Sequence, residues 1–473
     1  MTTNIRFLYA NLLDISNTNI AASSEATTLP VENLLNPLKC IPWRTAGTNF
    51  EYVDIDLGQD CMVQAFAAAG HNYTDQASLI LCGDDSDTFY QPIDSDHVGF
   101  WKFNGDCLDS SSYENHLTAV SIATSDYFAA RQDRAAALDG ENDYFHIPTG
   151  DAGDFNFTQT QDFSIEIWFN PESVSNAGLL SKWDGTTGYY LEITSDGKLH
   201  FKASDGVLSD EIQGSAILSA DTWQYAAVTA DRDGQLNLYL NGDVDSSPVT
   251  MSVGNLSNSA DFIVGKHVSA FFNGALALAV ISNSARSASY ISDSFDTPKI
   301  VLPVTYSDNY LLECFDASYI HYWRFLISDP DNADGFLNTG RLYLGEWFEP
   351  SRNFHGNWTK RIVDPSSISA TLNNIEFSDV RGKYCEIDLS FPKEVQIPQN
   401  DAEKYEEMFS YLGAHKRFFI ALDYENQPRK WTYYGTLTGD RSLSHLPGTS
   451  HTDGRWTISN LKFKESRYNN GFQ

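Results

Sequence analysis

Apolar and polar residues alternate in short runs along most of this chain, and each run ends in a turn rich in Gly, Asn or Asp. This pattern commits the chain to β-structure, because successive strand side chains point to opposite faces and one face suffices for burial. Val53-Asp-Ile-Asp-Leu57 alternates in this way, and Ser78-Leu-Ile-Leu-Cys82 is a short apolar run suited to a core strand. Phe163-Ser-Ile-Glu-Ile-Trp-Phe169 puts Phe163, Ile165, Ile167 and Phe169 on one face. Leu236-Asn-Leu-Tyr-Leu240 runs into Asn241-Gly242, a two-residue hairpin signal. Turn clusters at 139–143, 184–188 and 231–234 separate such runs. Strands at this spacing predict β-sandwiches.

One segment changes period. Tyr405, Met408, Phe409 and Leu412 recur at spacings of three and four, which stripes one face of a helix. Asn400 or Asp401 is placed to cap it, and Gly413 to end it. Asp401, Glu403, Glu406 and Glu407 lie toward the N-terminal side, where the helix dipole favours them. A helix packed on its own sheet is the expected outcome.

At 473 residues the chain exceeds one hydrophobic core, and about three domains are expected. Against 31 basic residues stand 63 acidic ones, a balance of −32 that repels phosphate backbones, so nucleic-acid binding is excluded. No run of 18 apolar residues exists, so no membrane span is expected. The N-terminal segment lacks the apolar core of a signal peptide, which predicts synthesis and folding in a cytoplasm. Cys40, Cys61, Cys82, Cys107, Cys314 and Cys385 are widely spaced without a CxxC pair. That excludes a zinc site and argues against a disulfide framework, so reduced, mostly buried thiols are expected. Neither a Gly-x-Ser-x-Gly elbow nor a GxxxxGK[ST] loop occurs. His200, His267 and His321 each stand alone in sequence and read as structural.

Polar, turn-rich seams at 92–97 and 282–299 mark off a middle segment. It contains Val98-Gly-Phe-Trp-Lys-Phe103, the turn Asp109-Ser-Ser-Ser-Tyr-Glu-Asn-His116, and Ala137-Leu-Asp-Gly-Glu-Asn-Asp-Tyr-Phe-His-Ile-Pro148. The strand 163–169, the run Asp221-Thr-Trp-Gln-Tyr-Ala-Ala-Val-Thr229, the hairpin 236–242 and the closing strand 274–281 follow. In that order these motifs resemble the laminin-G-like, concanavalin-like jelly rolls. The resemblance implies binding of sugars or proteins, often with calcium. Asp109, Asn115, Asp139 and Asn142 sit on the turns where related modules hold the ion. The same residues serve equally as ordinary turn formers, and both readings stay open. Trp183, Phe271 and Phe272 are the candidate glycan-stacking residues.

Relatives that hydrolyse glucans need two carboxylates flanking the scissile bond. Their strand carries Glu-x-Asp-x-x-Glu. Here Glu166 and Glu192 are isolated, and Glu386-Ile-Asp388 lies outside the segment and lacks the following Glu. Hydrolysis is disfavoured on that ground, and a non-enzymatic protein is expected.

The flanks join when the middle is removed. Trp43-Arg44, Tyr52-Val-Asp-Ile-Asp-Leu-Gly58 and Gly70-His-Asn72 continue into Tyr322-Trp-Arg-Phe-Leu-Ile-Ser328 and Arg341-Leu-Tyr-Leu-Gly345. This order resembles a discoidin-like (galactose-binding-like) jelly roll. With Asn33-Leu-Leu35, Glu349-Pro-Ser-Arg-Asn-Phe354, Trp358, Val363-Asp-Pro-Ser366, Arg417-Phe-Phe-Ile-Ala-Leu-Asp423 and Tyr433-Tyr-Gly435, the flanks resemble the distal-tail-like tail-tip and baseplate proteins of long-tailed bacteriophages. The inserted domain is a departure from that family.

The expected fold is therefore mainly β. Residues 1–97 plus 300–345 form a split discoidin-like jelly roll, interrupted by a concanavalin/laminin-G-like β-sandwich at 98–299. A mixed, mainly β C-terminal domain with one helix follows at 346–473. Its Lys393, Lys404, Lys416, Arg417, Arg429 and Lys430 make it less acidic than the rest, as an assembly domain would be. Arg324, Arg341 and Arg352 read as internal ion-pair or capping partners. The phage resemblance implies a structural component of a virion tail, made in the bacterial host cytoplasm and contacting other tail and baseplate proteins. Tail symmetry implies a homo-oligomeric ring of three or six copies. The inserted domain is expected to bind host-surface glycan or to decorate the baseplate, with no certain cofactor and calcium left open. A stand-alone carbohydrate-binding protein is the alternative, and a glycan hydrolase ranks behind it.

Overall fold

The structure is a computed structural model that describes residues 4–15, 17–307, 309–352, 358–370, 376–391, 396–427, 430–445 and 456–466. The chain is mainly β and forms two compact units, residues 82–301 and residues 1–81 with 302–473.

The inserted unit is a two-sheet sandwich. Sheet I has seven strands in the order Ser209–Gln213, Leu199–Asp205, Thr187–Ile193, Ala177–Trp183, Phe262–Val264, Tyr144–Ile147 and Thr118–Val120. Sheet II is built around Phe163–Pro171, with Gln224–Ala230 on one side and Asn273–Ser282 on the other. The predicted alternation sets the core. Phe163, Ile165, Ile167 and Phe169 face Tyr189, Leu191, Ile193, Leu199 and Phe201, all fully buried in one cluster. Flat rings fill the space between the sheets, with Phe155 on Phe262 at 4.2 Å and Phe157 on Phe163 at 4.4 Å. The Asn241-Gly242 turn has φ of 52° and 83°, the left-handed pair that a tight hairpin needs.

The helix Ala288–Phe295 (α1) follows the closing strand. Ser287 caps it, its hydroxyl accepting from the Tyr290 amide. Ile291 and Phe295 lie on the outer face of sheet II against Trp168, Tyr225 and Tyr239. Sheet II is therefore covered on both faces, and Gln224–Ala230 is buried at every position. The unit begins before the predicted boundary at 98, because Tyr90 packs on Phe100 and Val280 and Gln91 bonds to Thr297.

In the other unit, Glu51–His71 and Tyr310–Ser328 pair along most of their length. Arg324 grips its partner Asp54 with two bonds of 2.6 and 2.9 Å. Arg341 is likewise internal, bonding to Asp14 and to the Leu34 carbonyl, whereas Arg352 is exposed. The strands that lead into and out of the insertion, Ser78–Asp84 and Ile300–Pro303, are neighbours in the same sheet. An insertion between adjacent strands leaves that sheet intact.

Residues 346–473 do not stand as a separate compact unit. The N-terminal strand Arg6–Leu8 is the edge of the C-terminal six-stranded sheet, paired with Arg417–Ala421. Phe7 packs on Phe348, Tyr405 and Phe418, so one core joins the two ends of the chain. The predicted helix is Gln399–Leu412 (α2), ended by Gly413 at φ 51°. It buries Tyr405, Met408 and Leu412 and leaves Phe409 half-buried. Its N-cap is Pro398 rather than Asn400 or Asp401. Asp401 lies inside the first turn, and its carboxylate accepts from the Ser351 amide and hydroxyl. Asn353, Phe354, Lys393 and Arg429 lie outside the described residues. All six cysteines are free, but only Cys82 is buried and Cys40 is exposed. Among the described residues no helix is long and apolar enough to cross a membrane.

Candidate functional site

The outer face of sheet I carries no helix of the unit. Period-two alternation turns Tyr190, Glu192, His200, Lys202, Glu211 and Gln213 outward while their neighbours fill the core. Antiparallel pairing then sets them side by side. Glu192 stands opposite His200, Tyr190 opposite Lys202, and Lys202 opposite Glu211.

A small hairpin, Lys266–His267 with Ala270–Phe271, lies over the strand Ala177–Trp183. The approach requires glycine at 178, where a Cβ would sit 2.0 Å from the His267 amide nitrogen. Ser181 anchors the hairpin through its hydroxyl to the Lys266 carbonyl at 2.9 Å. Val268 at the tip is exposed with φ 53°, a region β-branched residues avoid.

The hairpin completes an aromatic platform. The His267 ring stacks on Tyr190 at 3.8 Å and 20°. Trp183 stands edge-on to Tyr190 at 5.3 Å. On the other side, Lys266 Nζ lies 4.4 Å from the Tyr144 ring and 4.5 Å from the Phe271 ring. Beside the platform, His200 Nδ1 is 3.1 Å from Glu192 and its Nε2 3.7 Å from Glu211. Lys202 bonds to Glu211 and holds its carboxyl below the usual range. Burial pushes Tyr190 up to about 12 and His267 below the usual imidazole value. The face thus presents flat rings for stacking next to fixed hydrogen-bond donors and acceptors.

Trp183 and Phe271 fall on this face, half-buried. Phe272 does not. It is fully enclosed in the sandwich core, edge-on to Phe169, because adjacent strand residues point to opposite sides. The histidines read as lone are all partnered, His200 and His267 here and His321 with Asp60 at 2.8 Å. Glu192 is not isolated either. Pairing across neighbouring strands, rather than spacing along one, was the signal that would have joined Glu192, His200 and Glu211.

The four proposed calcium ligands lie in two turns and do not surround one point. Asp109 is bridged to Trp101, opposite Ala279, whereas Asp139 is opposite Asn273. Six residues along that strand separate them, about 20 Å at the strand rise. The Asp109 carboxylate accepts from the amides of Phe100, Ser111 and Asn115 and from the Ser111 hydroxyl. Asn115 donates to the Val98 carbonyl and to Asp154. Asp139 accepts from the amides of Glu141, Asn142 and Asp143, which hold its carboxyl low. These bonds are those of turn formers. Among the described residues no group of three or more His, Cys, Asp or Glu is arranged to hold a metal ion.

The family model of the concanavalin A-like lectin/glucanase superfamily (laminin G type) matches residues 139–292. The inserted unit has a lectin-like fold. No curated protein matches the chain. Among solved structures, domain 4 of AbnA, a GH43 extracellular arabinanase from Geobacillus stearothermophilus in complex with arabinotriose, is 18% identical. That match covers 42% of this chain and 97% of the other at TM-score 0.34. The binding domain of Paraclostridial Mosquitocidal Protein 1 is 13% identical, with 77% and 97% covered at TM-score 0.38. The CBM40 of the Ruminococcus gnavus IT-sialidase, bound to alpha2,3 sialyllactose, is 16% identical, with 34% and 96% covered at TM-score 0.30. At these scores the likenesses transfer no ligand to this chain.

Proposed function

We propose that this chain is a non-enzymatic structural component of a long-tailed phage tail tip or baseplate, whose inserted unit binds host-surface glycan on the open face of sheet I. The observation that carries the glycan reading is the Tyr190–His267 stack beside Trp183, set against the paired polar row of Glu192, His200, Lys202 and Glu211. Sugar rings offer one apolar face to aromatic rings and hydroxyls to flanking polar groups, and this surface has both. Hydrolysis is disfavoured because His200 fills the space between Glu192 and Glu211, where a glycosidic oxygen would have to sit.

The tail reading rests on the order of motifs along residues 5–95 and 310–467. A ring of three or six copies follows from the tail reading alone. A surface open to self-contact is the strand Trp358–Val363, the edge of its sheet among the described residues, where Ile362 is 68% exposed. Next to it in sequence, the hairpin Ser367–Ala370 with Glu376–Asp379 leaves Ile368 72% exposed, and Val380 just beyond is 82% exposed.

A glycan array probed with the full chain tests the first half. Binding that is lost in Trp183→Ala and Tyr190→Ala is expected, with no release of oligosaccharide from the bound glycan. Equal binding by wild type and variants would overturn the site. Imaging of purified virions tests the second half. A ring of this protein at the tail end is expected, and its absence from the tail leaves the stand-alone carbohydrate-binding reading.

A further inference from the structure

Glu166 lies mid-strand in Phe163–Pro171, on the face of sheet II that α1 covers, and is fully enclosed. Its Oε2 accepts a 2.6 Å hydrogen bond from the Tyr225 hydroxyl. Its Oε1 is buried and accepts none. Ser294 on α1 is close enough to favour the charged carboxylate without the geometry of a hydrogen bond. Glu166 lines a small pocket with Gln91, Gln132, Tyr290, Ser294 and Thr297, residues that carry amide or hydroxyl oxygens, and with Phe100, Leu278 and Val280. The Tyr290 hydroxyl is shared with His97 Nε2, and the Thr297 hydroxyl accepts from the Gln91 amide and donates to the Asp293 carbonyl. No Lys or Arg lines this pocket. Arg286, which acts on Glu166 from a distance, spends its guanidinium on Asp94 at 2.8 and 2.7 Å.

An enclosed carboxylate with an unmet oxygen is strongly disfavoured unless a positive charge or a proton reaches it. The pocket has room for one occupant of about the size of a water molecule. One carboxylate among neutral oxygens balances one positive charge, whereas calcium sites gather several carboxylates. We propose that this pocket binds a single hard monovalent cation, sodium or potassium, held by Glu166 and the neighbouring amide and hydroxyl oxygens. The ion links Glu166 on the sheet to α1, and so fastens the helix over the aromatic surface of Trp168 and Tyr225.

Hydrogen exchange of the full chain at pH 8 tests this directly. Exchange of peptides spanning 288–295 is compared in sodium chloride, potassium chloride and choline chloride at equal ionic strength, because choline is too large for the pocket. With sodium or potassium at ten times its dissociation constant, exchange there is expected to slow about tenfold relative to choline. Glu166→Gln, which keeps the shape and removes the charge, is expected to exchange at one rate in all three salts. The same rate for wild type in all three salts overturns the proposal, and is the result expected of a carboxyl that simply keeps its proton. Should the variant fail to fold, rubidium-soaked crystals of the wild type decide. An anomalous peak within bonding reach of Glu166 Oε1 supports the site, and its absence at saturating rubidium overturns it.

Discussion

Glu166 and Glu192 sit in nearly the same local sequence, Ile165-Glu-Ile167 and Leu191-Glu-Ile193, one mid-strand and one next to its strand's last residue, in the same sandwich with their neighbours in the same core. One is sealed beneath α1, bonded to Tyr225, with burial pushing its carboxyl pKa up. The other is half-buried on an open face and paired with His200. Nothing in either strand decides between these fates. What decides is a helix contributed by residues 288–295, which lands on sheet II and not on sheet I. A strand's own pattern specifies which face is the core. The identity of the opposite face, as second core or as open surface, is set by distant segments.

The largest consequence of this difference is in stability. Trp168 is buried between Arg131, whose guanidinium carbon is 3.3 Å from the ring centre, and Phe295, stacked at 5.5 Å. Trp168→Ala is expected to cost about 3–5 kcal/mol through lost burial and the cavity left behind. Urea unfolding measures it, and a cost below about 1 kcal/mol would mean that α1 does not close this face.

The same comparison shows how much could be read beforehand. Strand positions, the inward set 163, 165, 167 and 169, the Asn241-Gly242 hairpin and the concanavalin-like order of motifs were all legible, since each depends on local period or turn chemistry. The site was legible in fragments. Trp183 and Phe271 lie on the open face, whereas Phe272 is enclosed, and two adjacent aromatics do not say which one faces in. Asp109, Asn115, Asp139 and Asn142 lie in two turns or at their strand ends. That the turns lie far apart depends on strand order, which one sequence does not display. The joining of both chain ends through Phe7 is invisible for the same reason.

Gly178→Ala probes the open face from behind. The added methyl collides with backbone at His267 rather than with a side chain that could swing away, so the hairpin must lift. An expected cost of about 1–3 kcal/mol, seen in urea unfolding, comes with weakened glycan binding as the Tyr190–His267 stack separates. Unchanged binding would place the ligand elsewhere. By contrast, Trp183→Ala is expected to leave stability within about 1 kcal/mol, because the ring is half-exposed, while reducing glycan affinity about tenfold.

The two faces also differ in the sign of their pH response. Burial raises the Glu166 pKa above its unfolded value, so the unfolded chain releases this proton first as pH rises. Stability is full below the ordinary carboxylate range and is lost as pH climbs toward the folded value. Unfolding titrations in choline chloride should show wild type losing stability relative to Glu166→Gln over that interval. Equal slopes would mean the carboxyl is not sealed.

His267 gives the opposite and smallest effect. Burial lowers its pKa, so the unfolded chain takes up this proton first as pH falls. Its contribution is therefore present above about 6.5, the ordinary imidazole value, and is lost as pH drops toward the folded value. His97 is also lowered by burial, so only the difference between wild type and His267→Gln isolates the open face. Wild type should weaken relative to the variant below pH 6.5, and the stack on Tyr190 should loosen with it, since imidazolium gains water by leaving the ring. A glycan bound across that stack would hold the neutral form and move the transition to lower pH. If saturating glycan leaves the transition where it was, the ligand does not touch His267, and the open face loses the residue that makes it a platform.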